Sequence, residues 1–274
     1  MSVVIETGFA GNTYPLSHGR VCWEWYKDAT PSATTSEAGF PAANAVPPRT
    51  DNAWRPTEVP ATWTLTFAVA ESPVSFVGIA KHDLGSLNAT IAVEYDIGGV
   101  WTAFTGAGAL QPEDDNPILL LVEEIDCDAV RVRITAADDN PTISVIMVGE
   151  ADEWPRPFQW IGQPITEGDR IRFENTIAVT GNWLGRSIAA QGIQFSVTMN
   201  YVPETWRQTG FADFKTYANG IDAVFFIALR PGTYPKEVAY AWATDVVTAE
   251  RAMPNKKIST AVEMNCQGLR PASA

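Results

Sequence analysis

The feature that most restricts the fold of this chain is a set of short segments in which apolar and polar residues alternate strictly. In the segment 61–69, for example, Trp63, Leu65 and Phe67 alternate with threonines and an alanine. Successive side chains of a β-strand point to opposite faces, so each segment predicts a strand with one buried face. Because Gly, Pro, Asn and Asp turns separate the segments, they predict a mostly β fold containing an antiparallel sandwich. Similar alternation occurs at 90–97, 130–135, 143–147, 193–201 and 258–267.

The stretch 74–101 predicts two strands, an intervening loop and a tight turn. An apolar run at 74–79 leads into the polar loop 81–88, and an alternating strand follows. Gly98 and Gly99 then turn the chain toward Trp101. A two-glycine turn beside an alternating strand is typical of a β-hairpin.

One segment, 204–218, has helical rather than strand spacing. It places Trp206, Phe211, Phe214 and Ala218 near one face and begins after a proline. We therefore expect one helix laid across a second β unit.

The 274 residues are enough for two domains, and the proline-containing break at 149–157 is the predicted boundary. We predict an N-terminal arm at 1–19 and a sandwich domain at 20–152. The remaining residues, 153–274, form the predicted β-rich domain with the helix.

The chain carries a formal charge of −13 and has a sequence pI near 4.6. An acidic surface repels nucleic-acid phosphates and anionic lipid, so neither is an expected partner. The sequence begins without a basic segment followed by an apolar run, and no apolar run approaches the roughly 20 residues of a membrane span. We therefore expect neither a secretory signal nor a transmembrane segment.

No motif for catalysis, cofactor binding or metal binding is found in the sequence. His82 beside Asp83 suggests a general base, but adjacent strand residues point apart, which favours a solvated loop. The acidic stretch 113–128 suits calcium chemically, yet it lacks the spacing of a calcium loop, which favours a solvated rim. Cys22, Cys127 and Cys266 lack disulfide or zinc spacing and are predicted to be reduced, with Cys266 as a small buried side chain. We predict a non-enzymatic protein without cofactor or metal.

Ten tryptophans are many for a chain of this length. Tryptophan is common both in cores and where one protein surface meets another, and the sequence leaves both roles open. The candidate contacts with a partner protein or a glycan are Trp54, Lys81, His82, Asp83, Trp101, Trp183 and Trp206.

Seven segments follow one another in the first half, namely SEAGFPAANA, WRP, PATWTLTF, VGIAKHDLGS, TIAVEYDIGGVW, AVRVRIT and TISVIMVGE. Over roughly residues 20–150 their order resembles the galactose-binding-like, or discoidin-type, jelly roll. No sugar-binding residue of that family matches a position of this sequence.

The whole chain, including ALRPGTYPKEVAYAWA at 228–243, resembles tail-tip or baseplate proteins of long-tailed, siphophage-like bacteriophages. The resemblance implies a structural protein of the virion, made in the host cytoplasm. It would bind other tail proteins through β-domain surfaces, as a trimer or hexamer around the tail axis. The alternative is a carbohydrate-binding module that contacts a glycan of the host surface, and an enzyme acting on cell-wall glycan is the least favoured.

Overall fold

The computed structural model describes residues 3–160, 165, 169–252 and 259–269, which form two β-sheets, two short α-helices and one 3-10 helix. The mostly β class and the order of a sandwich followed by a β-rich part are confirmed. The strands are β1 (Val3–Ile5), β2 (Arg20–Trp25), β3 (Thr30–Ala33), β4 (Ala61–Thr66), β5 (Ser72–His82), β6 (Thr90–Ile97), β7 (Val100–Ala103), β8 (Ile118–Cys127), β9 (Ala129–Ala136), β10 (Ile143–Glu153), β11 (Gln159–Trp160), β12 (Asp169–Ile177), β13 (Trp183–Met199), β14 (Phe225–Ala228), β15 (Val238–Ala243), β16 (Thr248–Ala252) and β17 (Ser259–Gly268). The 3-10 helix is Ala42–Ala45, and the α-helices are α1 (Glu204–Gln208) and α2 (Gly210–Ala218).

The sandwich consists of a five-stranded sheet and one part of a larger sheet. The smaller sheet has the order β3-β4-β9-β6-β7, and each neighbouring pair is antiparallel. One buried cluster combines its inward residues, such as Trp63 and Val132, with residues of the larger sheet, such as Ile79 and Val148. Alternation in the sequence therefore corresponds to burial between two sheets, with β1 added parallel to β8 at one edge.

The larger sheet runs across the predicted domain boundary. Its order is β1-β8-β5-β10-β2-β14-β15-β17-β13-β11, with β12 on β13 and β16 on β17. The junction is β2, which pairs with β10 of the sandwich on one side and with β14 on the other. The predicted domains at 20–152 and 153–274 therefore contribute strands to one hydrogen-bonded sheet, and the division into an arm and two domains stays a prediction.

The N-terminal arm lies on the body of the protein. The backbone N–H groups of residues 12–14 donate to the Glu153 carboxylate at 2.9, 2.6 and 2.6 Å. Arg20, which is buried, forms an ion pair with Glu153 at 3.0 Å. This charge-assisted network fixes the arm beside the end of β10.

The predicted helix at 204–218 is divided into α1 and α2 at Thr209, whose backbone is not helical. The indole of Trp206 packs against Gly210, where a Cβ atom would lie 2.9 Å from Nε1. Of the predicted apolar face, Phe211, Phe214 and Ala218 are buried, and Trp206 is partly buried.

The second β unit has its own aromatic core. Trp154 is fully buried at its centre, 5.1 Å from the ring centroid of Trp206 and 5.5 Å from that of Phe214. Phe158, which immediately precedes β11, and Phe225, on β14, belong to the same buried cluster. The three cysteines are buried and unpaired, as the sequence predicts for Cys266. In the described residues, no helix has the length and apolar character that a membrane crossing needs.

Candidate functional site

The residues predicted as contacts lie in different environments. Trp54 is fully buried, and its indole N–H donates to the carbonyl of Thr35 at 3.1 Å. The prediction that Trp54 is a surface contact is therefore wrong. Its backbone forms a β-bridge with Ile143, which places the side chain inside the sandwich. Trp101 is half-buried beneath the guanidinium of Arg131, which lies 4.1 Å from the ring centroid.

The predicted Lys81-His82-Asp83 loop has a mainly structural arrangement. Lys81 is exposed, but His82 is buried, contrary to the prediction of a solvated loop, and bonds the carbonyl of Asn116 at 2.9 Å. Burial lowers the pKa of His82, because desolvation disfavours the charged imidazolium form. The Asp83 carboxylate accepts from the backbone and hydroxyl of Thr142, both at 2.7 Å. Both side chains hold neighbouring loops together.

Part of the acidic stretch 113–128 closes the same loop. Asp115 accepts the backbone N–H groups of Gly85 and Ser86, both at 2.9 Å. In the described residues, no three His, Cys, Asp or Glu side chains are placed to hold a metal ion.

The exposed predicted contact Trp183 belongs to a two-stranded extension formed by β12 and the first part of β13. We call residues 169–192 the ribbon. Among the described residues, β13 pairs within the ribbon only with β12, and the pairing of β13 with β17 begins at Ile193 opposite Gly268. Both outer edges of the ribbon are therefore free of backbone partners among the described residues, and free strand edges are sites where another strand can add.

The ribbon exposes large apolar side chains. Trp183 is 67% exposed and Leu184 is 64% exposed. A two-stranded hairpin alone is marginally stable in water, and a contiguous apolar patch on a soluble protein marks an interaction surface. The exposed apolar residues of the ribbon are Phe173, Ile177, Val179, Trp183, Leu184 and Ile188.

The ribbon is basic although the chain is acidic. It carries Arg170, Arg172 and Arg186 against only Asp169 and Glu174. The Arg186 guanidinium lies 4.0 Å from the ring centroid of Phe173 on the opposite strand. Aromatic and arginine side chains are the residues enriched at protein interfaces.

A separate cavity of about 330 Å³ lies at the end of β13. Tyr201 at its rim is 68% exposed and has a φ of 58°, a left-handed conformation that is rare for residues other than glycine. Gln159 accepts a hydrogen bond from Asn200 at 2.8 Å, and Arg156 lies on the same rim. The sequence prediction missed this site because its residues come from separate segments with no shared motif.

No family model matches the chain, and no curated protein matches it. Part of the chain is similar to the family 32 carbohydrate-binding module of C. perfringens NanJ in complex with galactose, at 16% identity and a TM-score of 0.40 over 47% of this chain and 98% of that one. It is similar to chitosan-binding module 1 of a chitosanase/glucanase from Paenibacillus sp. IK-5, at 15% identity and a TM-score of 0.40 over 46% and 98%.

The SpGH29 structure matches at 18% identity and a TM-score of 0.39 over 47% of this chain and 29% of that one. All three TM-scores are below 0.5, so these likenesses carry no conclusion about function, which rests on the residues of this chain.

Proposed function

We propose that this chain is a non-enzymatic structural protein of a multi-subunit assembly and that its ribbon docks onto a second copy of the chain. The observation that supports the proposal is the row of exposed apolar side chains on strands with free edges. Burying Trp183 and Leu184 against a neighbour would remove apolar surface from water, at about 25 cal/mol per Å².

Charge complementarity favours a second copy as the occupant. The ribbon carries more arginine than acidic residues, whereas the chain as a whole has a net charge of −13. A basic, aromatic ribbon is therefore attracted to an acidic surface elsewhere on an identical molecule. Such a contact joins two different surfaces, so it closes into a ring when the rotation between copies allows.

The biological setting that we propose is the tail tip or baseplate of a long-tailed bacteriophage, with a trimer or hexamer around the tail axis and other tail proteins as neighbours. The support for this setting is the sequence resemblance described above. Electron microscopy of virions carrying a tagged chain tests it directly. Label at the tail tip would support the setting, and a chain absent from every particle would contradict it.

The docking role is tested by sedimentation velocity on the full chain. We expect the wild type to form closed oligomers and the double variant Trp183→Ser, Leu184→Ser to sediment as a folded monomer. The matched control is Val246→Ser with Ile221→Ser, because both residues are also exposed but lie outside the ribbon. A monomeric wild type, or oligomers that persist in the ribbon variant, would refute the proposal.

A second candidate function is carbohydrate binding at the Tyr201 cavity. An exposed aromatic ring beside a few fixed polar groups is the composition of a small-ligand site, and sugar rings stack on such faces. Binding to a glycan array should be lost in Tyr201→Ala and kept in Phe40→Ala, which removes an exposed ring from the sandwich instead. An array without signal for the wild type would eliminate this candidate.

A further inference from the structure

Another cavity, of about 260 Å³, lies where the ribbon leaves the larger sheet, and we call it the root pocket. Its lining includes two guanidinium groups, two amides and one indole, those of Arg170, Arg172, Gln191, Gln267 and Trp242. None of the residues that line the root pocket is acidic, although the chain has 32 acidic residues against 19 lysines and arginines. The root pocket is therefore a basic, aromatic site on an acidic protein.

Strand pairing brings the main residues of the root pocket to one face of the sheet. Trp242 on β15 lies directly opposite Gln267 on β17, and Gln267 lies opposite Gln194 on β13. Arg170 on β12 lies opposite Gly192, two positions before Gln194. Directly paired residues point to the same face, and so do residues two apart on one strand. The indole, the amide and the guanidinium therefore share a face.

The opposite face of these strands packs into the aromatic core of the second β unit. The intervening residues Ala241, Cys266 and Ile193 are buried there. By contrast, Trp242 and Gln267 are half-buried and Arg170 is exposed. The root pocket thus opens to solvent from a floor that the core holds in place.

The arginines of the root pocket are not consumed by ion pairs. In the sandwich, Arg133 pairs with Glu94 at 2.8 Å. Among the residues that the structure describes, Arg170 forms no ion pair, and Arg172 reaches only Glu174, at 4.0 Å between two exposed side chains. An exposed pair at that distance contributes little, so both guanidinium groups are available to a ligand.

We propose that the root pocket binds an acidic sugar, that is, a pyranose ring that carries a carboxylate. A guanidinium group binds a carboxylate through two parallel hydrogen bonds, which is the role of Arg170 with Arg172 beside it. The indole of Trp242 offers an apolar face to the C–H groups of the ring. The amide of Gln267 both donates and accepts, as recognition of ring hydroxyl groups requires.

The dimensions of the root pocket suit a single ring. Neighbouring strands lie about 4.8 Å apart, so the backbones of β15 and β12, three strand spacings from each other, are separated by about 14 Å. The indole of Trp242 and the long side chain of Arg170 occupy the two ends of that span. Gly192 has no side chain, so the middle stays open. Pockets for drug-sized ligands measure about 300–1,000 Å³, and this one is slightly smaller.

The net charge of the chain does not prevent binding of an anion at this place. Charges are screened beyond about 8 Å at physiological ionic strength, so a bound carboxylate interacts mainly with the two adjacent guanidinium groups. The same screening predicts that the affinity for an acidic sugar falls as salt is added.

Isothermal titration calorimetry on the full chain tests the proposal. The protein is the ribbon variant Trp183→Ser, Leu184→Ser, so that the root pocket is measured without a neighbouring copy whether or not the ribbon docks as proposed. The ligands are two matched pairs, 3′-sialyllactose with lactose and glucuronate with glucose. We expect saturable binding of an acidic sugar and affinity at least about tenfold weaker for its neutral partner. Absence of binding by both acidic sugars, or equal binding of acidic and neutral partners, would overturn the proposal.

Three substitutions locate the binding. Arg170→Gln should weaken it about tenfold. The matched control is Arg186→Gln, which removes the same charge from the ribbon, but at a guanidinium that lies over Phe173 outside the root pocket. Tyr201→Ala should leave the affinity unchanged, because Tyr201 belongs to the other cavity. Equal losses in Arg170→Gln and Arg186→Gln would mean unspecific attraction to the ribbon and would refute the site.

An acidic side chain of a neighbouring copy is the competing occupant of the root pocket. If neither acidic sugar binds while Arg170→Gln dissociates the oligomer of the otherwise wild-type chain, the pocket holds such a side chain and the sugar proposal is wrong. If Arg170→Gln loses the sugar while the oligomer persists, the root pocket is a sugar site separate from the contact between copies.

Discussion

The hairpin β6–β7 and the ribbon β12–β13 are both pairs of antiparallel strands joined by a glycine-containing turn, but they differ in what covers them. β6 pairs with β9 on its other side and buries Ile91 and Val93 in the sandwich. In the described part of the chain, the ribbon has no further strand beside it, and Trp183 and Leu184 are exposed. The comparison shows that backbone hydrogen bonds are enough to pair the two strands of a hairpin. The apolar side chains of the hairpin are buried only where a second surface covers them.

The largest effect should separate a tryptophan of the sandwich from a tryptophan of the ribbon. Trp63 is fully buried on β4, and its indole donates to the carbonyl of Ala42 at 2.9 Å. Trp63→Ala should therefore lower the free energy of unfolding by about 3–5 kcal/mol, while Trp183→Ala in a monomeric sample should change it by less than about 0.5 kcal/mol. Urea unfolding measures both, and equal losses would mean that the ribbon packs on its own chain.

The next effect concerns Asp152, which lies near the end of β10 where this strand pairs with β2. Burial raises the pKa of Asp152 to about 7, against the weaker effect of nearby indole N–H groups. Because the folded state holds this proton more tightly than the unfolded chain, stability should fall as the pH rises from about 4 to about 7.

Asp152→Asn removes that titration and should raise the free energy of unfolding at pH 8 by about 1–3 kcal/mol. Below about pH 3, where the aspartic acid is largely neutral in both states, the variant and the wild type should be nearly equal. Urea unfolding across the pH range checks the difference. A variant that is less stable at pH 8 would mean that the carboxylate is paired in the folded protein.

The sequence was sufficient to predict the sandwich and insufficient to predict the pockets. Alternation around Trp63 and Val132 depends only on local period, which is why it predicted strands and their buried faces. The cavity beside Tyr201 depends on contacts between residues about 40 to 70 positions apart, which have no local signature in the sequence.

Trp54 and His82 were predicted as surface contacts but are buried in the structure. Both stand in polar surroundings along the sequence, yet tertiary contacts bury them and satisfy their ring nitrogens with backbone carbonyls. A long-range carbonyl acceptor cannot be read from neighbouring residues, so burial of an amphipathic ring is the feature that a single sequence predicts least well.

The smallest effect is expected at the turns, and it tests whether the ribbon is energetically coupled to the body. Gly99 and Gly181 have φ values of 85° and 84°, and a Cβ at either position would meet no atom within 4 Å. Alanine therefore costs the same at both turns, about 1 kcal/mol of left-handed backbone strain. At Gly99 the whole cost should appear in global unfolding, because β6 belongs to the sandwich core. At Gly181 the cost should appear only as faster amide exchange along the ribbon, because a two-stranded extension can open while the core stays folded.

In the assembled protein, Gly181→Ala should also weaken association between copies, since docking requires the closed ribbon. A Gly181→Ala monomer that loses as much global stability as Gly99→Ala would show that the ribbon folds as one unit with the sheet.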